Sequence, residues 1–137
     1  MEEKKLIRAA LEARQNAYAP YSHFQVGAAL LARSGRVYQG CNIENAAYSA
    51  SNCAERTAFF KAVSEGERAF EAIVIVGGRE GETGLDFCAP CGICRQVMAE
   101  FCDLDQFRVI LARNEEDFKS YTLRELLPEA FVPDRIS

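Results

Sequence analysis

The sequence lacks a basic excess, holds a single histidine, and has no apolar run long enough to cross a bilayer. Its 137 residues include 16 Lys and Arg against 20 Asp and Glu, a formal net charge of −4 at pH 7. Because general nucleic-acid binding requires a basic surface, this acidic balance argues against that class of function. The shortness of the apolar runs argues equally against a membrane span. We therefore expect neither a nucleic acid nor a membrane as a partner.

The chain also lacks linkers, internal repeats and low-complexity stretches. A length of 137 residues is typical of one domain, and we expect a single domain over residues 1–137. Apolar residues make up 49% and charged residues 26%, ordinary values for a globular protein. The first residues mix charges and lead into no apolar segment of a secretory signal. We therefore expect a cytoplasmic protein.

The hydrophobic pattern alternates between helical and strand periods. Helices are predicted at residues 3–18, 52–65 and 90–101, with one or two further helical turns at 123–127. Strands are predicted at 26–32 and 36–40, joined as a hairpin by Ser34 and Gly35, and at 73–76, 107–112 and 118–121. The β-branched run at 73–76 is typical of a strand buried on both faces. This order predicts an α/β fold with helices on both faces of a mixed, roughly five-stranded sheet.

Six cysteines are present, and three of them coincide with predicted helix starts. Cys91 and Cys94 lie three apart in a first helical turn, so both face one side, and Cys53 begins another helix. The positive N-terminal ends of the helices would lower the thiol pKa values and favour metal binding. Three thiolates suit zinc and leave a fourth position for water, which is the catalytic pattern. The one histidine, His23, falls in a loop and is expected to be solvated.

Glu55 follows Cys53 by two residues and need not be a ligand. Zinc deaminases combine three such ligands with a glutamate that acts as acid and base, in the pattern Cys-x-Glu followed by Pro-Cys-x-x-Cys. An alternative is that Glu55 closes a capping box with Asn52.

Two other interpretations of the cysteines remain open. Cys88 could supply a fourth sulfur and close a structural zinc site. Cys88, Cys91 and Cys94 also form the beginning of an iron–sulfur run, although the position of its fourth cysteine, 98, holds methionine. Either interpretation would make this a metal protein without enzymatic activity.

Over nearly its whole length the chain resembles the cytidine deaminases, small zinc enzymes that act on free pyrimidine nucleosides. The motifs that carry the resemblance lie at 19–30, 40–48, 53–58, 90–97 and 126–131. The family usually has serine before its Pro-Cys-Gly motif, whereas this chain has Ala89, preceded by Cys88. Since the family uses the backbone carbonyl at this position, alanine should be tolerated.

The resemblance implies a three-layer α/β/α fold and a set of residue roles. Cys53, Cys91 and Cys94 would hold zinc, and Glu55 would move protons. The substrate would be bound by Phe24, Asn42, Glu44, Tyr48, Ala54 and Phe131. Within that set, Asn42 and Glu44 would hydrogen-bond the ribose hydroxyls. The family is typically a homotetramer, so Tyr48 and Phe131 would reach a neighbouring subunit's site.

The charge of the site requires a positive group near the sulfurs. Three thiolates give a zinc site a formal charge of −1, which opposes formation of hydroxide. We expect the helix N-termini and Arg56, donating to a cysteine sulfur, to offset that charge.

The expected reaction is the hydrolytic deamination of free cytidine and deoxycytidine. A deaminase of another small aminopyrimidine is an alternative, against which the segment 42–46 argues. A nucleic-acid editor is a further alternative, against which the acidic balance argues.

Overall fold

A computed structural model describes residues 2–135, which contain a mixed sheet and four α-helices. The helices are α1 (Glu3–Arg14), α2 (Ala54–Ser64), α3 (Gly92–Phe101) and α4 (Leu123–Leu126). The strands are β1 (Phe24–Ala32), β2 (Val37–Cys41), β3 (Phe70–Arg79), β4 (Arg108–Ala112) and β5 (Phe118–Thr122). Short 3₁₀ turns occur at Tyr48–Ala50 and Pro133–Arg135. No helix within residues 2–135 combines the length and apolar character that a membrane crossing demands.

The strands lie in the order β2-β1-β3-β4-β5. β1 runs antiparallel to both of its neighbours, β3 and β4 are parallel, and β5 returns antiparallel to β4. The hairpin predicted around Ser34 and Gly35 joins β1 to β2. The predicted fold class, a mixed five-stranded sheet with helices, is therefore confirmed.

The sheet is buried on both faces, as the β-branched run predicted. Ile73 and Ile75 pack in the core beneath α2 and α3. Val74 and Val76 point to the opposite face and pack in the core beneath α1. The alternation along β3 thus separates two apolar layers and gives the three-layer arrangement.

The largest differences from the predicted boundaries are in α1 and β3, and both involve distant parts of the chain. The first helix ends at Arg14 instead of residue 18, because Tyr18 pairs with the segment after β2. The Tyr18 amide donates to the Asn42 carbonyl at 3.0 Å, and the Glu44 amide donates to the Tyr18 carbonyl at 2.8 Å. β3 extends well beyond 73–76, because Gly77 and the residue after it continue the ladder with β1.

A close approach between β2 and α2 fixes the position of the second helix. A Cβ on Gly40 would lie 2.4 Å from the Ala54 carbonyl oxygen and 2.6 Å from the Ala58 amide nitrogen. Only glycine leaves room for this contact. Because Ala54 is the first residue of α2, the contact also sets where the predicted metal ligand Cys53 stands.

Gly40→Ala should destabilise the protein by about 3 kcal/mol, because backbone atoms of α2 must move away from the new methyl group. Gly84→Ala is the matched control, since a Cβ at Gly84 has open space around it. The control should change the free energy of unfolding by less than about 1 kcal/mol. Urea unfolding of both variants measures the difference, and equal midpoints would contradict the close contact.

Candidate metal centre and active site

The structure brings three cysteine sulfurs together where α2 and α3 begin. Cys53 and Cys91 are the N-cap residues of the two helices, and Cys94 lies in the first turn of α3. The Sγ atoms of Cys53 and Cys91 are 3.8 Å apart, those of Cys91 and Cys94 are 3.4 Å apart, and all three lie within 4.8 Å of one another. Tetrahedral zinc with Zn–S bonds of about 2.3 Å holds its sulfurs about 3.8 Å apart. The donor set therefore fits zinc.

Arg56 provides positive charge directly at this sulfur cluster. Its Nη2 donates to the Cys53 sulfur at 3.2 Å, as predicted from the negative formal charge of a three-thiolate zinc site. Hydrogen bonds from the Cys94 thiol and from Arg56 lower the pKa of Cys53 to about 5. A thiolate is the form that binds a metal, so this environment prepares Cys53 as a ligand.

Glu55 is buried beside the sulfurs, with only 4% of its surface exposed. Burial, with a smaller contribution from the charge of Cys53, raises the pKa of Glu55 to about 7. A carboxyl group with a pKa near neutral can both accept and release a proton. The capping-box alternative is wrong: Cys53 is the N-cap residue and no side chain caps this helix, while the Asn52 amide donates to the Thr57 hydroxyl at 3.2 Å.

An open pocket of about 330 Å³ leads to the sulfurs, a volume within the range of small-molecule sites. Among the predicted substrate-binding residues, Asn42, Glu44, Tyr48 and Ala54 line it. The pocket wall also includes Ala89, whose backbone carbonyl the resemblance singled out, and Asn52. Val26 and Ser51 line it as well, although no role was predicted for either. The only sequence signal for these wall residues was that they lie in or next to the motifs that carry the family resemblance.

Asn42 and Glu44 are both held by backbone groups of the preceding segment. The Asn42 amide donates to the Phe24 carbonyl at 2.8 Å and accepts from the Val26 amide at 2.9 Å. The Glu44 carboxylate accepts from the backbone amides of Tyr21 and Ser22 and from the Ser22 hydroxyl. These bonds, the hydroxyl foremost, hold the pKa of Glu44 below its usual range, so Glu44 is ionised at neutral pH.

The structure does not bring two predicted substrate-binding residues into this pocket. The Phe24 ring lies beside Gly77, and Phe131 lies near α3, where its carbonyl accepts from the Gln96 side chain at 2.8 Å. Neither belongs to the wall of the pocket formed by this one chain. Phe131 is 60% exposed and Tyr48 is 77% exposed, so both are available to a neighbouring molecule.

Cys88 lines the pocket but stands apart from the sulfur cluster. Within residues 2–135, the group of side chains able to hold a metal comprises Cys53, Cys91 and Cys94 without Cys88. Burial raises the pKa of the Cys88 thiol to about 11. The structure therefore favours a three-sulfur site over both the closed four-sulfur site and the iron–sulfur run.

Three clustered thiols at the starts of two helices, with a buried glutamate in the wall of an open pocket, define the class of zinc-dependent deaminases. Residues 1–110 match the family model described as the cytidine and deoxycytidylate deaminase zinc-binding region. The chain belongs to that family, and its cofactor is zinc.

Similar proteins support the family along the whole chain. A cytidine deaminase of Sporosarcina psychrophila is 52% identical over 137 residues, covering all of this chain and 96% of the relative. One of Halalkalibacterium halodurans is 50% identical over 134 residues, covering 98% and 97% of the two chains. The solved structure of the Burkholderia pseudomallei cytidine deaminase has 47% identity and a TM-score of 0.85, over 96% of this chain and all of that one. The resemblance inferred from the sequence motifs is confirmed.

Cys88→Ala and Cys91→Ala form a matched pair that tests the ligand set. Cys91→Ala should lose most of its bound zinc, because one of three sulfurs is removed. Cys88→Ala should keep one zinc per chain, because its thiol stands outside the cluster. Metal analysis of the purified variants decides between the two sites. Loss of zinc from Cys88→Ala would instead indicate that Cys88 is a fourth ligand in a closed, four-sulfur site.

Proposed function

We propose that the chain catalyses the hydrolytic deamination of free cytidine and 2′-deoxycytidine to uridine and 2′-deoxyuridine with release of ammonia. The observation that carries the proposal is the buried carboxyl group of Glu55, with a pKa near 7, beside three thiols at the pocket. A structural metal site has no need of such a group.

Cys53, Cys91 and Cys94 would hold the zinc through their sulfurs. When bound, zinc supplies the Lewis acidity that makes water a nucleophile at neutral pH. Three thiolates leave a formal charge of −1, which opposes removal of a proton from water. The two helix N-termini, each contributing up to about 2 kcal/mol where partly buried, offset this charge. The Arg56 guanidinium, which donates to the Cys53 sulfur, also offsets this negative charge.

Glu55 is assigned the proton transfers. Addition of water to C4 moves one water proton to N3 of the pyrimidine ring. Collapse of the adduct moves the second water proton to the amino nitrogen, which leaves as ammonia. Both transfers begin at the same oxygen and end on neighbouring nitrogens, so one carboxyl group that accepts and then donates can carry out both.

The nucleoside would be recognised along the pocket wall. Asn42 and Glu44 are the polar groups proposed to bind the ribose hydroxyls, and Ala54 would border the base. Phe24, Tyr48 and Phe131 would supply apolar contacts. Tyr48 lines the pocket of its own chain and is exposed enough to contact a neighbouring subunit's site as well. Phe24 and Phe131 lie outside the wall formed by one chain, and Phe131 would reach the site of a neighbouring subunit. The ionised state of Glu44 supports its role, because a carboxylate is a strong hydrogen-bond acceptor for a hydroxyl.

We further propose a cytoplasmic homotetramer that serves pyrimidine salvage, with sites shared between subunits. Three large apolar side chains support the shared sites, since Tyr48, Ile93 and Phe131 are each at least 60% exposed. Tyr48 lines the pocket, and Ile93 lies between Cys91 and Cys94 in the sequence, so these two exposed apolar side chains border the site, as expected of an interaction surface.

Light scattering coupled to size-exclusion chromatography should return a mass of about four chains of 15.2 kDa. Phe131→Ala should lower kcat/KM without changing zinc content, because it removes a contact supplied from the neighbouring subunit. A monomeric mass for the active wild-type protein would contradict the shared site.

Glu55→Ala should retain zinc and lose at least about 10²–10⁴-fold in kcat, the usual contribution of acid–base catalysis. Glu71→Ala is the control, because Glu71 is an exposed residue near the start of β3, and this variant should deaminate cytidine at the normal rate. The reaction is measured by the loss of cytidine absorbance. A chelator should abolish the activity until zinc is added back. Near-normal turnover by Glu55→Ala, or full activity of metal-free protein, would overturn the proposed function.

A further inference from the structure

The Ser22 hydroxyl connects the start of β1 to Glu44. It accepts from the Phe24 backbone amide at 3.0 Å and donates to Glu44 Oε2. Because an amide N–H can only donate, the serine proton must point toward the carboxylate. His23 between them adopts a left-handed conformation with φ of 58°, and this turn brings the Phe24 amide back to the hydroxyl.

Within residues 2–135, one hydrogen-bond acceptor position of the Glu44 carboxylate remains unoccupied. An ionised carboxylate has about four acceptor positions, two on each oxygen. Oε1 accepts from the backbone amides of Tyr21 at 3.0 Å and Ser22 at 3.1 Å, which occupies both of its positions. Oε2 accepts from the Ser22 hydroxyl and keeps one position. The remaining position therefore lies on the oxygen that Ser22 orients.

This free position faces space that a ligand can occupy. A second hollow of about 300 Å³ is bordered by Tyr21, Ser22, Glu44, Tyr48 and Ser51. It shares the last three of these residues with the pocket that leads to the sulfurs. Glu44 thus stands where the two hollows meet, with Ser22 on the side away from the metal centre.

We propose that Ser22 is a positioning residue for sugar recognition: its hydroxyl orients Glu44 so that the free acceptor position receives a ribose hydroxyl. This inference rests on the proposed function, in which the ligand of the site is a nucleoside. Ser22 itself touches neither the reacting atoms nor the metal.

The test compares Ser22→Ala with wild type on two substrates. For cytidine, kcat/KM should fall about tenfold, chiefly through KM, because the lost bond supports binding and not the chemical step. For 2′,3′-dideoxycytidine, which lacks both ring hydroxyls, the two proteins should agree within about twofold. If that analogue turns over too slowly, its inhibition constant against cytidine replaces kcat/KM.

The chain offers a matched control for the loss of such a serine. The Ser34 hydroxyl, in the turn between β1 and β2, donates to Glu67 Oε2 at 2.6 Å and accepts from the Arg36 amide at 3.4 Å. Ser34→Ala therefore removes the same pair of bonds far from the pocket and should leave both substrates unaffected. Ser22→Thr keeps a hydroxyl and should recover most of the activity toward cytidine.

Two results would overturn the role of Ser22. An equal penalty on cytidine and the dideoxy analogue would mean that Ser22 merely stabilises its loop, and no penalty on cytidine would mean that Glu44 is oriented without it. A wild-type protein that does not deaminate cytidine would instead overturn the proposed function, so the two failures are distinguishable.

Discussion

The convergence of two helix N-termini on three sulfurs is the constraint from which the rest of the site follows. Neither Cys53 nor Cys91 gives its helix a side-chain cap, although each occupies the N-cap position. The sulfurs therefore lie at the positive ends of both helices, which favour thiolates. Metal binding and the starting points of α2 and α3 are coupled, because displacement of either helix separates the ligands.

The sheet holds these two helices in place. α2 leads from β2 into β3, α3 leads into β4, and both pack on the same face of the parallel pair β3 and β4. Gly40 permits backbone contact between β2 and the first turn of α2, which leaves the helix little freedom to slide. The ligands from distant parts of the sequence thus meet with the precision of a packed core and do not depend on loop flexibility.

The sequence was informative wherever the determining signal is local. Cys53, Cys91 and Cys94 could be placed together because each coincides with a helix start, and Ile73–Val76 could be assigned to a buried strand from its composition alone.

The end of α1 could not be predicted, because the pairing of Tyr18 with the chain after β2 does not alter the hydrophobic pattern of the sequence. The same limit applies to Ser22 and Glu44, which are 22 residues apart and meet through loop geometry. Phe24 and Phe131 were assigned by resemblance, and one chain does not bring them to the pocket wall.

The pKa of Glu55 is set by its position at the start of α2 and by its burial. As the second residue of α2, it shares with Cys53 the positive end of the helix and the nearby Arg56, both of which favour its ionised form. Burial and the negative charge of Cys53 act in the opposite direction, and burial dominates. A carboxyl group whose protonated and ionised forms are balanced near neutral pH is costly to bury for stability alone, since it lacks a full ion-pair partner. The same balance suits the proposed role of Glu55, which is to take a proton from water and return it to a nitrogen. Packing alone gives no reason to bury such a group at this position.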